Sequence, residues 1–130
     1  MAQSLTHKIK LIIGGLEFQA QLNDSKTARA VWKKLPLTER GQFWGEEIYF
    51  SIPVKEPPEN PLEVVDKGTL AYWPPGNAMC IFWGPTPMSH GKECRPASPV
   101  NVIGKISSDL SPLKTLTSTD VTVEKVEWNS

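Results

Sequence analysis

Residues 68–87, GTLAYWPPGNAMCIFWGPTP, are the most informative segment of the sequence for the fold. Two apolar runs, TLAYW and AMCIFW, flank a turn in which Pro75 and Gly76 hold the central positions that a type II turn favours. This pattern predicts a β-hairpin. Because alternate residues of a strand face opposite sides, both faces of this hairpin are apolar. One face must fill a core, and the other is either covered by the proline-rich loops at 53–61 and 85–99 or left open as a groove for a ligand.

The N-terminal segments predict a second hairpin and one helix. Apolar residues alternate with polar ones over residues 7–22, on both sides of a Gly-Gly pair that suits a two-residue turn. Residues 23–36, NDSKTARAVWKKLP, carry apolar side chains at helical spacing and end in proline. Asp24 or Ser25 can cap this helix.

The remaining segments predict more strands. GQFWGEEIYFSIPV, residues 41–54, is rich in aromatic and β-branched residues and predicts one strand, in which Gly45 marks a bulge or a close backbone approach. Residues 99–107 and 119–128 predict two further strands, with a short helical turn over 108–116. Seven or eight strands and one clear helix indicate a mainly β domain, either a closed barrel or a sandwich.

Composition narrows the class of protein. The chain has 130 residues, the size of one domain, and its 14 basic residues balance 14 acidic ones. A neutral chain has no field that attracts nucleic acid or an anionic membrane, so we expect neither partner. The apolar run at 11–13 is too short for a signal peptide or a membrane span, and we expect a cytoplasmic protein in which Cys80 and Cys94 are reduced thiols.

Several catalytic and cofactor patterns fit the sequence poorly. Its two histidines and two cysteines have no recognised ligand spacing, and neither glycine-rich stretch has the Lys-Ser or Lys-Thr sequel of a phosphate loop. Ser89 and His90 beside Cys94 lack the setting of an activated nucleophile. Glu46 and Glu47 are adjacent in a strand, so they cannot flank one bond as an acid and base pair. The sequence therefore predicts no metal, no cofactor and no assignable catalytic residue.

Three segments carry a family resemblance. WGEEIYF, GTLAYWPPGNAMCIFWGPTP and SPVNVIGKI together resemble a small prokaryotic family of cyclophilin-like proteins, most of them uncharacterised. The resemblance covers nearly the whole chain. It implies a single domain over residues 1–130, folded as a closed eight-stranded antiparallel barrel with one clear helix and a short helical turn.

The resemblance also raises the question of proline isomerase activity. Cyclophilins use an apolar pocket for the proline ring and an arginine that polarises the imide nitrogen. The strand that matches the arginine-bearing segment is FWGEEIYF, which offers two glutamates and no arginine. We therefore expect a domain that binds a peptide segment or small ligand without efficient isomerase activity. The alternatives are a peptidyl-prolyl cis-trans isomerase in which Arg40 or Arg95 replaces the missing arginine, and a subunit whose apolar hairpin face closes a homo-oligomer.

The predicted binding groove has an aromatic wall with polar groups beside it. Since strand residues alternate, not all of these side chains can share one face, and several must belong to the core. The predicted ligand-binding residues are Trp44, Tyr72, Trp73, Phe82 and Trp83 for the wall, with Glu46, Thr86 and Arg95 near it.

Overall fold

One antiparallel sheet of nine strands forms the body of the protein in the computed structural model, which describes residues 5–126. The strands lie in the order β3-β9-β1-β2-β8-β6-β7-β5-β4. Their bounds are β1 Leu5–Ile13, β2 Leu16–Asn23, β3 Leu37–Arg40, β4 Gln42–Phe43, β5 Glu47–Ser51, β6 Thr69–Trp73, β7 Ala78–Phe82, β8 Asn101–Ile106 and β9 Asp120–Lys125. The helix α1 spans Lys26–Lys33, and two 3₁₀ turns span Pro74–Gly76 and Ser111–Thr115.

The sheet nearly closes into a barrel, because its two edge strands are consecutive in the chain. β3 and β4 lie at opposite ends of the strand order, yet only Gly41 separates them in the sequence. A Cβ at Gly41 would lie 2.6 Å from the Tyr49 carbonyl oxygen, so the chain passes tightly against β5 where it crosses the seam. The predicted mainly β, cyclophilin-like barrel with one helix is confirmed.

The strand count differs from the predicted eight. The expected single strand over 41–54 is broken, because Gly45 adopts a left-handed φ of +64° and separates β4 from β5. β3 was not predicted from the sequence. It holds only one apolar residue, Leu37, and it forms because its backbone pairs with β9.

The helix packs its buried face, Ala28 and Val31, on the barrel core. Ser25 caps it by accepting a hydrogen bond from the Ala28 N–H at 3.1 Å, which decides between the two predicted caps. The Glu59 carboxylate also accepts from the N–H groups of Lys26 and Thr27, at 3.0 and 2.9 Å. Burial opposes ionisation of Glu59, but a hydrogen bond from the Thr27 hydroxyl, together with those from the two N–H groups and the charge of Lys26, outweighs it and holds the pKa of Glu59 below the usual value. The loop at 53–61 is thereby fixed to the start of the helix.

The hairpin of residues 68–87 forms as predicted, but its turn is of another type. A 3₁₀ turn over Pro74–Gly76 leads into Asn77, which takes the left-handed conformation that a type II turn would give to glycine. Gly76 is needed for a different reason, because a Cβ there would lie 2.6 Å from the ring of Trp73. The indole ring therefore packs directly on the turn.

The other local predictions agree with the structure over the described residues, and residues 127–128 of the predicted last strand lie outside them. β1 and β2 form a hairpin around Gly14 and Gly15, both with positive φ. The predicted short helical turn is the 3₁₀ turn Ser111–Thr115. Within residues 5–126, no helix has the length and apolar character needed to cross a membrane.

Gly104→Ala tests how closely β2 and β8 approach. A Cβ at this position would meet Leu22 Cα at 3.0 Å and also crowd the Gln21 carbonyl, and these backbone atoms cannot move without separating the strands. We expect the free energy of unfolding in urea to fall by about 1–3 kcal/mol. Gly91→Ala is the matched control, since its nearest atom would lie 3.6 Å away. Equal stabilities of the two variants would contradict the close packing of β2 on β8.

Candidate functional site: an aromatic cleft on the outer face of the barrel

The outward faces of β5, β6 and β7 form a second apolar layer outside the barrel. Leu70 and Ile81 point into the main core, so the neighbouring pair Ala71 and Cys80 points outward. Cys80 also pairs with Tyr49 of β5. The sequence-based prediction that this hairpin is apolar on both faces is confirmed by the two separate clusters of buried side chains.

Part of this outer layer is covered by loops. Val65 and Cys94 are joined by a β-bridge, and with Val100 they pack over Ala71 and Phe82. The predicted loop at 85–99 therefore covers part of the face, whereas the loop at 53–61 is held at the helix. The cover is incomplete, and a cleft stays open above Cys80.

The cleft has a volume of about 240 Å³. Hydrogen bonds fix two of its aromatic side chains, because the Tyr49 hydroxyl donates to Gln42 Oε1 and Trp73 Nε1 donates to Ser98 Oγ, both at 2.7 Å. These bonds give the cleft a defined shape before any ligand binds. Its lining consists of Trp44, Glu47, Tyr49, Trp73, Cys80, Pro96 and Ala97.

Glu47 is the buried acidic group of the cleft. It is only 4% exposed, and its Oε1 atom has no hydrogen-bond partner among the described residues. Burial raises the pKa of Glu47 to about 7, although a hydrogen bond with the Cys80 thiol lowers it in part. Burial, together with the charge of Glu47, raises the pKa of Cys80 well above its usual value, so this side chain stays a neutral thiol. The carboxyl group can therefore gain or lose a proton near neutral pH.

Gly45 positions the strand that carries Glu47. Its φ is +64°, and a Cβ there would lie 2.7 Å from Thr86 Cα and 2.8 Å from the Pro85 carbonyl oxygen. The following residue, Glu46, donates its N–H to the same Pro85 oxygen at 2.9 Å. Only glycine allows the loop after β7 to pack this tightly against the start of β5.

The structure divides the predicted aromatic wall. Trp44 and Trp73 line the cleft. Tyr72 lies inside the barrel, where its hydroxyl is 2.7 Å from the Val54 carbonyl oxygen. Phe82 is buried beneath the covering loops, and Trp83 belongs to the main core. Of the five predicted aromatic residues, Trp44 and Trp73 are therefore the two that remain candidates for contact with a ligand in the cleft.

The predicted polar groups lie beside the cleft and are engaged in loop contacts. Thr86 Oγ1 donates to the Arg95 carbonyl oxygen. The Arg95 guanidinium donates to Glu93 at 3.0 Å and lines a neighbouring cavity of about 250 Å³, beyond Pro96 and Ala97. The hydrogen bond from the His90 N–H and, second to it, the hydrogen bond from the Arg95 guanidinium lower the pKa of Glu93 to about 2. Glu46 is half-buried, and its carboxyl packs against Gly84.

A family model described as "Cyclophilin-like" matches residues 7–124. The chain belongs to the cyclophilin-like family. It is also similar to the solution structure of a hypothetical protein from Archaeoglobus fulgidus, with 35% identity and a TM-score of 0.78. That match covers 95% of this chain and 98% of the archaeal chain. No curated protein matches the sequence.

Five of the seven lining residues of this cyclophilin-like domain were not among the predicted site residues, namely Glu47, Tyr49, Cys80, Pro96 and Ala97. The alternation of inward and outward side chains along β5 indicates the first two. Ile48 and Phe50 are the apolar residues that face the core, so Glu47 and Tyr49 must face outward. What the sequence alone does not show is that this outward glutamate is buried, with only 4% of its surface exposed.

A larger groove lies elsewhere on the cyclophilin-like barrel, and its two glutamates both lie near Lys10. It has a volume of about 550 Å³ between β1, β2 and β9. Lys10 lies 3.8 Å from Glu17 and 3.7 Å from Glu124, on a solvent-exposed surface. Within residues 5–126, no cluster of histidine, cysteine and acidic side chains is arranged to hold a metal ion.

Glu47→Gln tests the buried carboxyl through the pH dependence of stability. The pKa of Glu47 is about 7 in the folded protein, against 4.5 for an ordinary glutamate. Its favourable contribution to the free energy of unfolding is therefore fully present below pH 4.5 and is lost as the pH rises through 7. We expect the free energy of unfolding of E47Q, relative to the unsubstituted protein, to increase by about 3 kcal/mol between pH 4 and pH 8.

Urea denaturation at several pH values measures this difference. Glu63→Gln, which changes an exposed glutamate, is the control and is expected to keep the pH profile of the unsubstituted protein. A constant difference between E47Q and the unsubstituted protein across this range would show that Glu47 is not buried as described.

Proposed function

We propose that this protein is a cyclophilin-like binding domain whose cleft holds one ring or side chain of a peptide segment or small ligand, without efficient isomerase activity. One observation carries the proposal. Trp44, Tyr49 and Trp73 line an open cleft together with a buried carboxyl group, one oxygen of which lacks a partner among the described residues. Concave apolar sites with a few convergent polar groups are the usual form of ligand sites.

The size of the cleft limits what it can hold. Sites for drug-sized ligands measure about 300 to 1,000 Å³. At about 240 Å³ this cleft suits a single ring or side chain. A peptide ligand would therefore insert one residue and place the rest of its chain across the rim formed by Pro96 and Ala97.

The positions of the arginines support binding without efficient isomerase activity. Polarising the imide nitrogen requires a donor aimed into the proline pocket. No arginine is among the described residues that line the cleft. Arg95 instead pairs with Glu93, and Arg40 pairs with Asp120 on β9. In the isomerase alternative, Arg95 would have to leave Glu93 and pass the Pro96–Ala97 segment.

NMR titration tests the proposal with defined probes. The probes are an Ala-Ala-Pro-Phe peptide and a panel of small rings comprising N-acetylproline amide, indole and p-cresol. We expect at least one probe to shift the indole resonances of Trp44 and Trp73, with no acceleration of cis/trans exchange in the peptide. Trp44→Ala should weaken this binding by roughly tenfold or more, because aromatic anchors dominate small binding sites.

Trp32→Ala is the matched control, since Trp32 is a half-buried tryptophan on α1 that stacks against His7 outside the cleft. Equal loss of binding in W44A and W32A would contradict the proposed site. Accelerated exchange that disappears in Arg95→Lys would favour the isomerase instead. The expectations of a homo-oligomer, of no nucleic acid or membrane partner, and of a cytoplasmic location stay predictions.

A further inference from the structure

The carboxyl group of Glu47 lacks a charged partner in the described structure. It is 4% exposed, and one of its oxygens accepts no hydrogen bond from any described residue. Its described neighbour in the cleft is the neutral thiol of Cys80. None of the ion pairs within the described residues includes Glu47. Burying a carboxylate without a cation costs free energy, so a positively charged ligand would bind most favourably next to this carboxylate.

The rest of the lining suits a cation as well. The faces of tryptophan and tyrosine rings are electron-rich and attract ammonium groups, most strongly where water is excluded. Trp44, Tyr49 and Trp73 supply three such rings around the cleft, and no basic side chain is among the lining residues. Pro96 and Ala97 complete the wall without adding charge.

We propose that the group bound in this cleft is a small alkylammonium, held between the carboxylate of Glu47 and the rings of Trp44, Tyr49 and Trp73. The inference rests on the proposed function, because both require the cleft to be the ligand site. The ammonium group has two sources, either a free amine or quaternary ammonium compound or the side chain of a lysine in a peptide.

Binding of a cation is then linked to the proton on Glu47. Because the pKa of this carboxyl is about 7, a cation competes with the proton and affinity rises with pH. Between pH 6 and pH 8 we expect roughly a tenfold increase, the ratio of the ionised fractions. Besides Glu47, the titratable groups in and beside the cleft are Tyr49 and Cys80 in the lining, and Cys94, Glu46, Asp66 and Lys67 around the covering loop.

The test compares cations with neutral molecules of the same shape. Choline is paired with 3,3-dimethylbutan-1-ol, and Nα-acetyl-lysine amide is paired with the amide of Nα-acetyl-2-aminoheptanoic acid, in which a methyl group replaces the ammonium. Each is titrated into the whole protein at pH 8, and the indole resonances of Trp44 and Trp73 are followed by NMR. We expect one cation to bind at least roughly tenfold more tightly than its neutral partner.

Glu47→Gln removes the charge and keeps the shape. The variant should lose the preference for the cation and its pH dependence, while Glu63→Gln keeps both. Dispersed indole resonances in E47Q show that the variant is folded. A preference confined to the choline pair identifies a free ammonium compound, and one confined to the lysine pair identifies a peptide side chain; both outcomes support the inference.

Two results would overturn the inference. If the neutral partners bind as tightly as the cations, and E47Q binds them equally, the cleft is a ligand site for uncharged groups and the proposed function stands. If no molecule of either pair shifts the two indoles, the ammonium assignment fails. The proposed function fails with it only if the peptide and ring panel also leaves those resonances unchanged.

Discussion

Backbone pairing of β7 with both β5 and β6 ties the inside of the barrel to the cleft outside it. β6 and β7 are apolar on both faces, so the register that buries Leu70 and Ile81 in the barrel also presents Ala71 and Cys80 outward. The outward layer cannot stay fully exposed at low cost, since each buried aromatic or aliphatic side chain is worth about 2 kcal/mol. The segments that carry Val65, Cys94 and Val100 fold back over this layer and bury part of it.

The cleft is the part of the layer that this cover leaves open. Trp73 is held by Ser98 on one side and by the glycine of its own turn on the other. Glu47 is carried into the same space by β5 and loses most of its contact with water there. One packing arrangement therefore accounts for the raised pKa of this carboxyl, for its oxygen without a hydrogen-bond partner among the described residues and for its aromatic neighbours.

Much of the fold could be predicted from local sequence patterns. Alternation identified the hairpins of residues 7–22 and 68–87, and the polar cap with helical spacing identified α1. β3 was missed because a strand with one apolar residue is specified by its partner β9 and not by its own sequence. The turn type was wrong because the ring of Trp73, rather than the backbone angles alone, sets the need for glycine at position 76.

The site was harder to predict for a related reason. When both faces of a strand are apolar, the sequence cannot show which face enters the barrel, so Tyr72, Phe82 and Trp83 were grouped with Trp44 and Trp73. The cleft that holds Glu47 is completed by Pro96 and Ala97, some fifty residues further along the chain. The family resemblance identified the fold, and the family match agrees with it. It did not identify the buried carboxyl.

The structure makes Glu47 a buried carboxyl group at an aromatic cleft, and carbon-13 NMR of its side-chain carboxyl carbon follows the ionisation of that group alone. We expect the Glu47 resonance to titrate with a midpoint at about 7. A midpoint at the ordinary glutamate value of 4.5 would show that the carboxylate is solvated and not buried.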